Sequence, residues 1–90
     1  MGRIIVTVVG IDRVGIIAEI TSTLAKNNIN ILDISQTIMQ DFFTMILIAD
    51  MAASSVDLPA LKTELEKIAI KLGLQISAQN EEVFRFMHRI

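Results

Sequence analysis

Residues able to do chemistry are concentrated in one stretch, Val9-Gly10-Ile11-Asp12-Arg13-Val14-Gly15-Ile16. Gly10 and Gly15 lack the Cβ that would crowd a tight turn or hold a ligand off the backbone, and Asp12 offers a carboxylate to nearby donors. A helical period begins at Ile16. The backbone N–H groups of its first turn therefore have no partner inside the helix and lie at the positive end of its dipole. Such a junction accepts a carboxylate or another polar main chain. Gly10, Ile11, Asp12, Val14, Gly15 and Ile16 are accordingly the candidate ligand-binding residues. On residues alone, a ligand-free turn explains the two glycines equally well, and Asp12 as a helix cap is the plainer alternative. Phosphate-loop chemistry is excluded, because Ile16-Ile17 stand where a lysine and a hydroxyl residue are required.

Elsewhere the side chains offer catalysis little. The chain has no cysteine and one histidine, His88. Disulfides, thiolate zinc sites and a cysteine nucleophile are thus ruled out, and no serine sits in a nucleophile elbow. A helix-end charge is the expected role of His88. Glu64, Glu66, Glu81 and Glu82 all fall on helix faces read as solvated. The expectation is a protein without catalytic residues, metal site or cofactor, with a metal held by Asp12 and Asp33 as a weak third reading.

Ninety residues suffice for one compact domain. With 52% hydrophobic residues and a mean hydropathy of +0.57, the chain has more apolar surface than a domain this small buries alone. A homo-oligomer is expected, a dimer in its simplest form. No apolar run approaches the roughly 18 to 20 residues that cross a bilayer, and no cleavage site follows the run after Arg3. Cytoplasmic placement without a membrane partner follows as an expectation. The net charge of −2, with no Trp or Tyr and four Phe, offers neither the basic footprint nor the stacking platforms of a nucleic-acid binder.

Periodicity supplies the elements that position the junction. About Arg3 to Val9 the residues are β-branched nearly throughout, with Thr7 the polar break, as in a central strand covered on both faces. Ile16, Ile17, Ile20 and Leu24 mark a helix over Val14 to Asn27, stopped by Asn27-Asn28. Asn30 to Met39 alternates as a polar edge strand, with Leu32, Ile34 and Ile38 on one face beside Asn30 and Gln36. After a turn at Gln40-Asp41, Phe42 to Ile48 is apolar on both faces and belongs in the middle. Asp57 or Ser55 caps a second helix that carries Pro59 in its first turn, buries Leu58, Leu61, Leu65, Ile68 and Leu72, and ends at Gly73. Leu74 to Gln79 alternates as a second edge strand. Asn80 then caps a short helix whose Val83, Phe84, Met87 and Ile90 need a surface to cover them, on its own sheet or a neighbour's.

This order of elements is the ferredoxin-like βαββαβ arrangement of an α+β fold. Right-handed crossovers give a four-stranded antiparallel sheet of order 2-3-1-4 with two helices on one face. Residues 1–80 form this domain and residues 81–90 a C-terminal helical extension. The free sheet face and the edge of the second strand are left for another subunit.

With these elements in place, the chain resembles an ACT domain, the small-molecule-sensing module of regulated enzymes of amino-acid metabolism. The likeness covers about residues 3–80 and rests on Gly10-Ile11-Asp12-Arg13-Val14-Gly15-Ile16, on Asn28-Ile29-Asn30-Ile31 and on the element order. The tail Phe86-Met87-His88-Arg89-Ile90 further resembles small stand-alone bacterial ACT proteins. The resemblance implies a dimer whose second strands pair edge to edge and whose first helices lie side by side. It also implies a site in which Asp12 and the Gly15 backbone hold an amino acid's polar main chain while the neighbour's Asn30 closes over it. Two positions depart from the pattern: Arg13-Val14-Gly15 stands where Arg-Pro-Gly is usual, and Asp12 where asparagine is often found. The function implied is a non-catalytic regulatory module that binds a small metabolite, most readily an amino acid, and whose state a partner protein reads. The alternative is a ligand-free interaction module that docks through its open sheet and C-terminal helix.

Overall fold

The structure, a computed structural model, describes residues 2–87. The elements run β1 (Arg3–Ile11), α1 (Ile16–Lys26), β2 (Asn30–Met39), β3 (Phe42–Asp50), α2 (Leu58–Leu72), β4 (Leu74–Asn80) and α3 (Glu81–Met87). The strands form one antiparallel sheet in the order β2-β3-β1-β4, as the right-handed crossovers require. Successive strand side chains alternate between faces. Ile4, Val6 and Val8 therefore join Met45, Leu47 and Ala49 on one side, where Ile16, Ile20 and Leu24 of α1 and Leu61, Leu65 and Ile68 of α2 complete the core.

Local chemistry sets the helix ends. The Asp57 carboxylate accepts the Ala60 N–H at 3.0 Å, Pro59 sits in the first turn, and Gly73 closes α2 at φ 68°. After α1 the left-handed residue is Asn28, at φ 60°, the role asparagine takes when glycine is absent. β1 and β3 each extend two residues past their expected ends, to Ile11 and Asp50. α1 starts two residues later than expected, because Gly15 adopts φ 97° and becomes the N-cap.

Two expectations about faces are corrected. β1 and β3 are central, but their second face is only partly covered: Val9, Ile11, Phe42 and Ile46 stay exposed on the side away from α1 and α2. In β2, Asn30 pairs with Asp50 and Ile31 with Ala49, yet Asp33 pairs with Ile48, so Leu32 is an extra residue in a bulge. A one-residue slip reverses the alternation beyond it. Asn30 therefore shares the open face with Asp33, Ser35 and Thr37, not with Ile34 and Ile38.

α3 lies on its own sheet, against β1 and β4. The Asn80 side chain accepts the Val83 N–H at 2.7 Å, and Glu81 pairs with Arg3 at 2.6 Å and with Arg85 at 3.5 Å. At this end Ile5 is buried although it points to the open face and stands apart from the main core. The expected roles of His88, Arg89 and Ile90 lie outside the described residues.

Candidate functional site at the bare end of the first helix

Gly10 is a strand residue, paired with Phe43 and Leu74. A Cβ on it would stand 2.5 Å from Leu74 Cδ2 and 3.3 Å from the Gly73 carbonyl oxygen. Close packing of the α2–β4 corner, not a turn at this position, thus accounts for the first glycine. Ile11 ends the strand opposite Phe42. The Asp12 amide donates to the Asp41 carbonyl at 2.8 Å, tying the loop to the turn between β2 and β3. No side chain caps α1, so the role of Asp12 as a helix cap is not realised and its carboxylate stays exposed.

Val14 is fully exposed. Gly15, at φ 97° and ψ −6°, accepts the Glu19 N–H at 2.9 Å and opens the helix. A Cβ on Gly15 would meet nothing within 4 Å, so the approach to the helix start is clear and only the backbone conformation demands glycine. Ile16 is buried and anchors that start from below. The structure therefore brings Ile11, Asp12, Val14 and Gly15 to one exposed corner, with Gly10 and Ile16 in the packed layer beneath it.

Gly15, Ala18, Glu19 and Ser22 border an open depression of about 380 Å³ along the outer flank of α1. A carboxylate on Glu19 would oppose an anion at the helix start, but it lies 2.7 Å from Lys71 Nζ. A smaller hollow of about 220 Å³, bordered by Lys62, Glu66, Ile76 and Gln79, runs between α2 and the β4 edge. It holds no uncapped helix end, and its two charged side chains are of opposite sign.

Asn30 is not part of this corner within one chain. It sits opposite Asp50, which pairs with Arg3 at the far end of β1 from Ile11, about 26 Å away along an extended strand. Asp33 is also remote, opposite Ile48, and its Oδ1 accepts the Ile34 N–H at 2.8 Å. A metal shared by Asp12 and Asp33 of one chain is thereby excluded. Among the described residues no group of three or more acidic or histidine side chains is placed to hold a metal.

One polar cluster escaped sequence reasoning. Asn27, buried at 6% exposure, donates through Nδ2 to the Thr23 carbonyl at 2.9 Å and to Glu64 Oε2 at 3.2 Å. Its own carbonyl accepts the Ser55 N–H at 2.9 Å, and Lys26 Nζ lies 3.0 Å from Glu64 Oε1. Hydrogen bonding from Lys26, and then from Asn27, holds the Glu64 carboxyl below the ordinary carboxylate range. Glu64 is thus part of a latch rather than a freely solvated face. The signal was present: Asn27 continues the core spacing of Ile20 and Leu24, where a polar residue requires a partner.

An antiparallel 2-3-1-4 sheet, two helices on one face and a glycine-started first helix define a ferredoxin-like α+β domain. The ACT domain profile matches residues 2–79, and the chain belongs to the ACT domain family, whose members are regulatory ligand-binding modules. It is 52% identical over 90 residues to a UPF0237 protein of Methanocaldococcus jannaschii, covering all of both chains. The solved ACT domain protein from Streptococcus pneumoniae matches at TM-score 0.79 and 34% identity, over 92% of this chain and 93% of that one. The ligand-free regulatory subunit of aspartate kinase from Thermus thermophilus shares the fold, with TM-score 0.66 and 19% identity over 87% of this chain and 50% of that chain. The relatives are archaeal as well as bacterial. No described helix is long and apolar enough to cross a membrane.

Proposed function

We propose that this chain is a non-catalytic, cytoplasmic sensor that binds a free amino acid at the interface of a homodimer, with residues 1–80 as the sensing unit and residues 81–90 as an appended element. The observation that carries this is the uncapped start of α1, opened by Gly15 beside the exposed Asp12 carboxylate. The two parts have opposite preferences, which suits a zwitterion. Free N–H groups in the first turn of α1 receive the ligand carboxylate, and Asp12 receives its ammonium group. Ile11 and Val14 flank the ligand side chain.

The β2 register supports a role for the partner's Asn30. Met39 pairs with Phe42, which pairs with Ile11. If the free β2 edges of two copies pair antiparallel, the partner's Asn30 arrives near Met39, at the end of the sheet that carries the Asp12–Gly15 loop. Such pairing also covers Leu32, Ile34, Ile38 and Met39, all exposed in the single chain. Ligand binding then favours one subunit arrangement, which a partner protein reads.

Thermal-shift and calorimetric titration with each common amino acid at millimolar concentration tests this directly. At least one is expected to raise Tm. Asp12→Asn is expected to weaken that ligand about tenfold or more, through loss of a charge-assisted contact, without changing the Tm of the free protein. No response to any amino acid removes the sensing role and leaves the fold.

A further inference from the structure

The sheet face turned away from α1 and α2 is covered at one end only. α3 packs on β1 and β4 at the end where Ile5 is buried, while Val9, Ile11, Phe42 and Ile46, toward the other end, stay 45% to 54% exposed. α3 itself has two sides. A helix advances about 100° per residue, so Glu81, Phe84 and Arg85 fall together, and Glu81 is the residue bonded to Arg3 of the sheet. Val83, Phe86 and Met87 fall on the opposite side and are 44%, 74% and 59% exposed.

We propose that a second copy of this chain stacks on this face about a two-fold axis, so that Val83, Phe86 and Met87 of each α3 cover the bare end of the other copy's sheet. Shape, charge and area all select a second copy. Each chain carries both a protruding helix at one end of the face and an unfilled apolar stretch at the other, and a two-fold axis brings each onto its counterpart. Thr7, Val9, Thr44, Ile46, Gln75 and Ser77, which occupy the open part of β1, β3 and β4, carry no charge; Asp33 on this face lies on the edge strand β2, level with Ile48 and Ile5 and away from the bare end. Seven apolar side chains at these exposures present on the order of 600 Å² per copy and about 1,200 Å² per pair, above the roughly 1,000 Å² of a specific interface. This contact uses neither the β2 edge nor the Asp12–Gly15 loop. It shares only Ile11 with the proposed ligand corner, the test positions Phe86 and Ile46 lie outside that corner, and the two contacts together give an assembly of four copies.

Because the chain has no cysteine, single introduced cysteines report the contact cleanly. Full-length Phe86→Cys and Ile46→Cys chains, mixed and mildly oxidised, are expected to form a mixed covalent dimer in at least fivefold excess over a mixture of Phe86→Cys with Lys67→Cys on α2. Native mass spectrometry is expected to show that Phe86→Glu halves the mass of the wild-type assembly with an unchanged circular-dichroism spectrum, and that Phe86→Leu restores the wild-type mass. Equal masses for wild type and Phe86→Glu, or absence of the mixed dimer, overturn the stacking. Each of these results leaves the ligand titrations above unaffected. A different cellular protein crosslinked to Phe86→Cys in place of a second copy overturns it as well.

Discussion

At the C-terminal end of α1, Asn27 is buried and bonded to Thr23, Glu64 and Ser55; at the N-terminal end no side chain caps the helix and Val14 stands fully exposed. The same helix is fastened at one end and left bare at the other. A glycine in place of a capping side chain costs only a few tenths of a kcal/mol, a deficit offset by the core contacts of Ile16, Ile20 and Leu24 and by the latch to α2. The fold therefore holds α1 in place without using the donors that a ligand would need. Stability and the proposed binding chemistry are separated along one element.

Breaking the fastened end is expected to have the largest effect. Asn27→Ala removes the buried amide that donates to the Thr23 carbonyl and to Glu64, leaving Glu64 with Lys26 alone, at about 2 kcal/mol and roughly 10 °C in Tm, measurable by thermal and urea denaturation. A loss below about 0.5 kcal/mol would show that the latch is decorative. At the bare end, Gly15→Ala forces an L residue to φ 97° in open space. The expected cost is about 1 kcal/mol from backbone strain alone, with no further penalty on enlarging the side chain to serine, since nothing lies near it.

The smallest effect sharpens the comparison through pH. The folded-state pKa of Glu64 lies below its ordinary value of 4.5, so the folded chain binds fewer protons at this site than the unfolded chain. The resulting stabilisation is present above pH 4.5 and is lost as pH falls through the lowered folded value. Glu64→Gln is therefore expected to lower Tm slightly at pH 7, with the gap to wild type closing toward pH 3. A gap that persists at acid pH would assign the latch to packing rather than charge. Because solvent still reaches this carboxylate, the gap at neutral pH is modest.

The architecture was largely legible because period, caps and strand polarity agreed. The three-and-four spacing of α2, its Asp57 cap and the left-handed Gly73 all appear where the residues place them. Three features were not legible, each set by a tertiary relation. Gly10 looks like a loop glycine in sequence, but its missing Cβ accommodates Leu74, more than 60 residues away. Leu32 fits the alternation of β2, and only pairing with β3 reveals the bulge that turns Asn30 to the other face. Asp12 has the composition of a cap, but Gly15 intervenes as the helix start. The corner was found from residue types; the distance between Asn30 and that corner required the register.

The 2.8 Å bond between the Asp12 amide and the Asp41 carbonyl makes the loop and the neighbouring hairpin one mechanical body. Displacing Asp12 pulls on the turn that joins β2 to β3, and the turn in turn pulls on Met39 at the tip of the unpaired edge. The mouth of α1 and the rim of the sheet thus share a direct main-chain connection that runs through neither helix.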